Sequence, residues 1–200
     1  MTESVESLLD RRRTSMRMNI AASAAYLFLR DGFEATTVEG IAKRAGISVR
    51  TFYRHCDAKE DALTPVVTSG IRDFVRYLAA RPHTESAATA IHEAFLDALA
   101  PPVLNDDVFP LRERFTLMTT VPGIRARWAV AASDLVHELR PEIAERSGLD
   151  PDGFESLLLS HTLIGIMTVA LQHWATSDPG TVDLADLVAT ALSLIRLDTN

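Results

Sequence analysis

Residues 36–55, TTVEGIAKRAGISVRTFYRH, decide how the rest of the chain is read. Ile41, Ala42 and Ala45 give the first half an inward apolar face at helical spacing, and Gly46 breaks it. Ser48 then opens a second short helix to about His55, because its hydroxyl can accept from the unpaired N–H groups of a first turn. Ile47 and Phe52 hold this second helix against the first. The small Ala42 and Ala45 let the two axes cross closely, as a helix-turn-helix requires. Val49, Arg50, Thr51, Tyr53, Arg54 and His55 remain on the outer face: donors, a flat aromatic and short groups, suited to phosphates and base edges. An ordinary helical hairpin in a core accounts for the apolar positions but not for that polar cluster.

The charge distribution agrees. The chain has 200 residues and a formal net charge of −7, which by itself speaks against a nucleic-acid partner. Residues 11–60, however, carry ten Lys/Arg against five Asp/Glu, whereas residues 61–200 carry ten against nineteen. A basic first quarter on an acidic remainder fits a DNA-reading head on a body that phosphate does not attract. Hydrophobic residues make up 47%, enough for a real core. The single cysteine, Cys56, cannot form an intrachain disulfide, and a reducing cytoplasm is the natural setting. The acidic start MTESVESLLD has no apolar run of the signal-peptide kind, and the longest apolar run, 162–171, is half a bilayer span. No membrane association is expected.

Outward from the quoted stretch, the punctuation predicts an all-α chain of nine helices. Sustained alternation of apolar and polar residues is absent, and so are hairpin signals. The first helix is expected over 15–31, after a flexible arm over 1–14, with Gly32 as its C-cap. The second starts near Thr36, which has capping-box spacing to Glu39. Asp57 and Glu60 repeat that spacing and open a fourth helix to about Ala80, with Pro65 expected to kink it. Helices follow over 84–100, 108–120, 122–147, 150–176 and 183–197. Pro141 should distort the last turns of the seventh, and Asp150-Pro151 should cap the eighth. The domain plan is an arm at 1–14, a DNA-binding head at 15–60, and a body at 61–200.

The stretch from Ile20 to Leu63 resembles the DNA-binding domain of the TetR family of bacterial repressors. The matching residues are Ile20, Ala24, Phe28, Gly32, Phe33, Thr36, Thr37, Val38, Ile41, Ala42, Ala45, Gly46, Ile47, Ser48, Phe52, Tyr53, His55, Lys59 and Glu60. The chain length and the helix count agree. Cys56 departs from the pattern, since the family usually has an aromatic residue after the histidine. The resemblance implies a three-helix DNA head and a ligand-binding, dimerising body. It implies phosphate contacts by Thr37, Tyr53, His55 and Lys59, and base reading by Val49, Arg50 and Thr51. Arg50 is suited to a bidentate contact to guanine, and Val49 and the Thr51 methyl to thymine methyls. Arg11, Arg12 and Arg13 are either an arm that reaches the DNA or a solvated tail.

In the body, the eighth helix is apolar on more than one side and should be buried on more than one side. The resemblance implies that the last two helices pair with their copies in a homodimer, with Leu158, Gly165, Thr168, Leu187 and Leu192 at the interface. Phe95, Leu99, Phe109, Phe115, Met118, Trp128, Leu163 and Met167 are candidates to line an apolar effector pocket, although each also reads as plain core. The segment LRERFTLMTTVPGIRAR, 111–127, is similar to regulators that respond to acyl-CoA-like molecules, with Arg114, Arg125 or Arg127 available for an anionic head group. The six histidines show no metal-binding spacing. No nucleophile motif or phosphate-binding loop is present, so no enzyme, cofactor or metal is expected. The expected partners are double-stranded operator DNA, a second copy and a small effector, and the expected role is a ligand-released repressor. A helical protein-interaction module with a vestigial head is the alternative, and the intact Tyr53, His55 and Lys59 speak against it.

Overall fold

In the computed structural model, which describes residues 4–100 and 110–195, the first helix is longer than its apolar stripe suggests. Helix α1 spans Ser4–Asp31. Residues 4–14 lack glycine and proline and include Glu6, Leu8, Leu9 and three arginines, good helix formers that extend the helix backwards. The stretch expected as an arm is therefore helical from Ser4, and Arg11, Arg12 and Arg13 are exposed on α1. Gly32 follows at φ +84° and donates its N–H to the Phe28 carbonyl at 3.1 Å.

Helix α2 is Val38–Arg44 and α3 is Val49–Tyr53. The cap of α2 is Thr37, not Thr36. Thr37 Oγ1 accepts from the Gly40 N–H at 3.1 Å, while the buried Thr36 donates its hydroxyl back to Gly32 O at 2.8 Å. With two adjacent threonines the capping spacing fits both, and the turn geometry takes the second. Between α2 and α3 the Gly46 N–H donates to Lys43 O at 3.2 Å and the Ile47 N–H to Ala42 O at 2.9 Å. This Schellman pairing needs the left-handed backbone of Gly46, φ +69°.

The expected single helix over 57–80 is two elements. A 3₁₀ turn covers Lys59–Leu63 and α4 covers Thr64–Ala80. The acid that closes the entry is Asp61 rather than the Asp57–Glu60 pair: its Oδ2 accepts from the N–H groups of Asp57 at 3.1 Å and Ala58 at 2.9 Å. Because α4 begins at Thr64, Pro65 lies in its first turn, where the missing N–H costs nothing.

Helices α5, Ala87–Leu99, and α6, Leu111–Thr120, follow, then α7, Pro122–Ser147, which runs on through Pro141. Asp150 does not cap α8. It accepts from the Asp152 N–H at 3.0 Å in a local turn, and α8, Phe154–Thr176, starts behind Gly153. Asp183 caps α9, Leu184–Ser193, by accepting from the Asp186 N–H at 3.1 Å. The described residues thus hold nine α-helices and no strand.

The chain forms two compact units. The first holds α1, α2, α3, the 3₁₀ turn and α4 to Thr68, together with α6 and α7 to Arg127. Its core is Ile20, Ala24, Phe28, Ile41, Phe52 and Leu63, with Met118 and Ile124 also buried. The second holds the remainder of α4 and α7 with α5, α8 and α9. Leu78, Ile91, Leu139, Ile143, Leu163 and Val188 fill its core, and α9 packs on α5 and α8. The boundary expected after residue 60 is therefore displaced: residues 61–68 and 110–127 cluster with the helix-turn-helix.

In the second unit, Arg146 has a side chain only 2% exposed and closes the end of α4. Its Nη2 donates to Leu78 O at 2.8 Å and Arg81 O at 2.9 Å, and its Nε to Glu142 Oε1 at 2.6 Å. The Leu78 carbonyl also accepts from the Arg81 N–H at 3.1 Å, so Arg146 ties down the C-terminal turn of α4 and the residue just past it. Replacing Arg146 with Met should cost about 2–4 kcal/mol, because charged-donor bonds are lost and Glu142 loses its partner. Urea unfolding that shows a loss under about 1 kcal/mol would remove Arg146 from this role.

Candidate nucleic-acid interface

Helix α3 has five residues, too few to be stable alone, and local bonds organise it. Ser48 Oγ accepts from the Thr51 N–H at 3.1 Å and lies 2.9 Å from Thr51 Oγ1. The Thr51 hydroxyl is thus engaged with the cap. Phe52 is fully buried, and the Tyr53 ring stands edge-on to it at 5.6 Å between centroids. Tyr53 is 53% exposed, Arg50 and Arg54 are exposed, and Val49 and Thr51 are half-buried. The structure therefore gathers the base-reading candidates and Tyr53 on one short helix, with Thr37 at the cap of α2.

His55 is half-buried, and its Nδ1 is enclosed without a hydrogen-bond partner. Burial, followed by the charges of Arg54, Arg13 and Arg17, lowers its pKa below the ordinary histidine value. With no anion beside it, the ring is thus mostly uncharged at neutral pH. Cys56 is buried, and burial pushes its thiol up to about 11.

Lys59 differs most from its expected place. Its Nζ donates to Phe33 O at 2.8 Å and Thr36 O at 3.1 Å, and sits 4.2 Å from the centre of the Phe33 ring. Two of its three N–H groups are spent on the loop between α1 and α2, so Lys59 is no free phosphate anchor. Sequence reasoning also passed over Asn19, whose Nδ2 donates to Ala45 O at 2.9 Å and joins α1 to the end of α2. The Arg44 guanidinium stacks 3.3 Å from the centre of the Tyr26 ring. These partners lie on different helices, and no spacing rule reports them.

The body candidates are scattered. Phe109 lies outside the described residues. Phe115 and Met118 belong to the first unit, and Phe95, Leu99, Trp128, Leu163 and Met167 to the second. Phe95, Met118, Trp128, Leu163 and Met167 are buried core side chains. Of the interface candidates, Leu158 and Gly165 are exposed, and Thr168 and Leu187 are half-buried. Leu192 is 3% exposed and faces the core of its own chain, which corrects its assignment to an interface. Helix α8 is correspondingly not buried all round: Phe154, Leu158 and Val169 are exposed on one stripe.

Two family patterns match the chain. The pattern described as bacterial regulatory proteins, tetR family, covers residues 20–63, and the one described as MftR C-terminal domain covers residues 85–198. The HTH-type transcriptional regulator TcmR of Streptomyces glaucescens is 32% identical over 175 residues, which is 84% of this chain and 76% of that one. The HTH-type transcriptional repressor KstR2 of Rhodococcus jostii is 33% identical over 119 residues, 54% of this chain and 58% of that one. Among solved structures, the TetR-family repressor FadR of Thermus thermophilus in complex with lauroyl-CoA is similar with a TM-score of 0.59 and 26% identity. That likeness covers 89% of this chain and 92% of the other. With a short helix-turn-helix that turns its polar face to solvent, and with both halves matched, the chain belongs to the TetR family of transcriptional regulators.

Proposed function

We propose that this regulator is a repressor that holds a palindromic operator as a homodimer and releases it on binding a mostly apolar, acyl-CoA-like effector. The observation that carries the DNA-reading part is the exposed face of α3, where Arg50 and Tyr53 project from a helix fixed from behind by Phe52. In this reading Val49, Arg50 and Thr51 meet base edges. Thr37, Tyr53 and His55 meet phosphates, and Lys59 adds its one remaining N–H. The lauroyl-CoA bound to a repressor similar over nearly the whole chain supports the effector class. The expected effector acts through a difference in its affinity for the DNA-bound and free forms.

The dimer rests on α8. Among the described residues it is the one helix long and apolar enough to cross a membrane, yet only 33% of its apolar window is buried. An apolar stripe left open on a protein that binds DNA is matched by its own copy in a twofold pair. Gly165 lies on this stripe, and a Cβ there would meet nothing within 4 Å. Gly165→Leu should therefore leave the single chain folded and wedge the pair apart. Sedimentation at micromolar concentration that shows an unchanged dimer for this variant, or a monomeric wild type, would refute the pairing.

Arg50→Ala should cost about 1–3 kcal/mol on the operator and flatten the preference at one base pair per half-site. Equal losses on operator and random DNA in a salt titration would make Arg50 a phosphate contact instead. For the effector, medium-chain acyl-CoAs should raise the thermal midpoint and release the operator in a gel shift. Release by sugars or metal ions alone would sink the apolar reading.

A further inference from the structure

The residues that follow the recognition helix form a junction. In the 3₁₀ turn, Lys59 reaches back to the loop between α1 and α2, and Ala62 and Leu63 are buried. Asp61 works in two directions. Its Oδ2 accepts from the Asp57 and Ala58 N–H groups, which fixes the loop leaving α3. Its Oδ1 forms an ion pair with Arg127, 2.6 Å from Nε. Arg127 lies on α7, 66 residues further along the chain and inside the stretch matched by the C-terminal family pattern.

A second observation places the same turn of α7 in the same spot. A Cβ on Gly123 would lie 2.5 Å from Glu60 Cγ, so the start of α7 is seated where a larger residue would displace Glu60. Ile124, 2% exposed, lines one crevice with Leu63, Thr64 and Val67. All these residues belong to one compact unit.

We propose that Arg127 is a positioning residue for DNA recognition: through Asp61 it fixes the loop that leaves α3, and the first turns of α7 are part of the DNA-binding unit. The inference rests on the reading of α3 as the DNA-contacting helix. A change at the start of α7 then reaches α3 through one carboxylate, without passing through the fully buried Phe52. Arg127 itself is half-exposed, so its replacement spares the core.

The test uses the full-length protein, an operator duplex from upstream of its own gene and a random duplex. Arg127→Gln removes the ion pair, and Arg127→Lys keeps the charge. Arg125→Gln, exposed on the same helix, removes an equal charge as a control. Arg127→Gln should weaken operator binding by about five- to tenfold, since a dimer feels a modest pair twice, and random-DNA binding by less than about twofold. Hydrogen exchange at residues 54–62 should speed up in Arg127→Gln and recover in Arg127→Lys. Equal losses from Arg125→Gln and Arg127→Gln, or an Arg127→Gln variant with wild-type operator binding, would overturn the proposal. Should the wild type fail to distinguish operator from random DNA, the reading of α3 is what fails. Hydrogen exchange then decides the Arg127 link alone, and unchanged exchange in Arg127→Gln overturns it.

Discussion

A five-residue helix in water melts, because nucleation costs more than so few hydrogen bonds return. Helix α3 persists because Phe52 is buried against α2 while Ser48 caps the opposite end. The Schellman turn at Gly46 sets the angle at which Phe52 arrives, and Ala42 and Ala45 provide the close approach. Every exposed side chain of α3 takes its direction from that one buried ring. The polar cluster is legible on the surface because the inward face of so short a helix is nearly reduced to a single residue.

Around this ring the first unit is tied by polar and charged side chains whose partners are backbone atoms. Lys59 binds two carbonyls of the loop between α1 and α2, Asn19 binds the carbonyl that ends α2, and Asp61 binds two N–H groups after α3. Each joins the exit of one helix to the body of another. A helix-turn-helix packs two axes steeply, leaving helix ends partly enclosed, where unpaired backbone groups are costly. Placing polar side chains at those ends resolves that cost and fixes the angles between the helices.

Much of this was legible in advance. The periodicity of Ile20, Ala24 and Phe28, the breaks at Gly32 and Gly46, and the cap at Ser48 locate α1, α2 and α3. What escaped was of two kinds. Where two residues satisfy one spacing rule, sequence cannot choose: Thr36 and Thr37 compete for one cap, and Asp57, Glu60 and Asp61 for another. Where a bond joins remote positions, no local pattern carries it. Arg146 lies 68 residues from Leu78, and Lys59 lies 26 residues from Phe33. Read locally, both are ordinary surface cations, and only the folded chain shows them turned inward. Helix α8 is apolar on more than one side, and one of its faces is open in the single chain.

The burial of Cys56 carries a consequence for how the cell can address this regulator. A thiol pushed up to about 11 holds a thiolate fraction on the order of one in ten thousand at pH 7. The thiolate is the form that attacks peroxides and disulfides, so the folded head offers them almost nothing to react with. The same sulfur becomes an ordinary nucleophile whenever the segment behind α3 opens. Its labelling rate therefore counts the moments at which α3 has let go of its support.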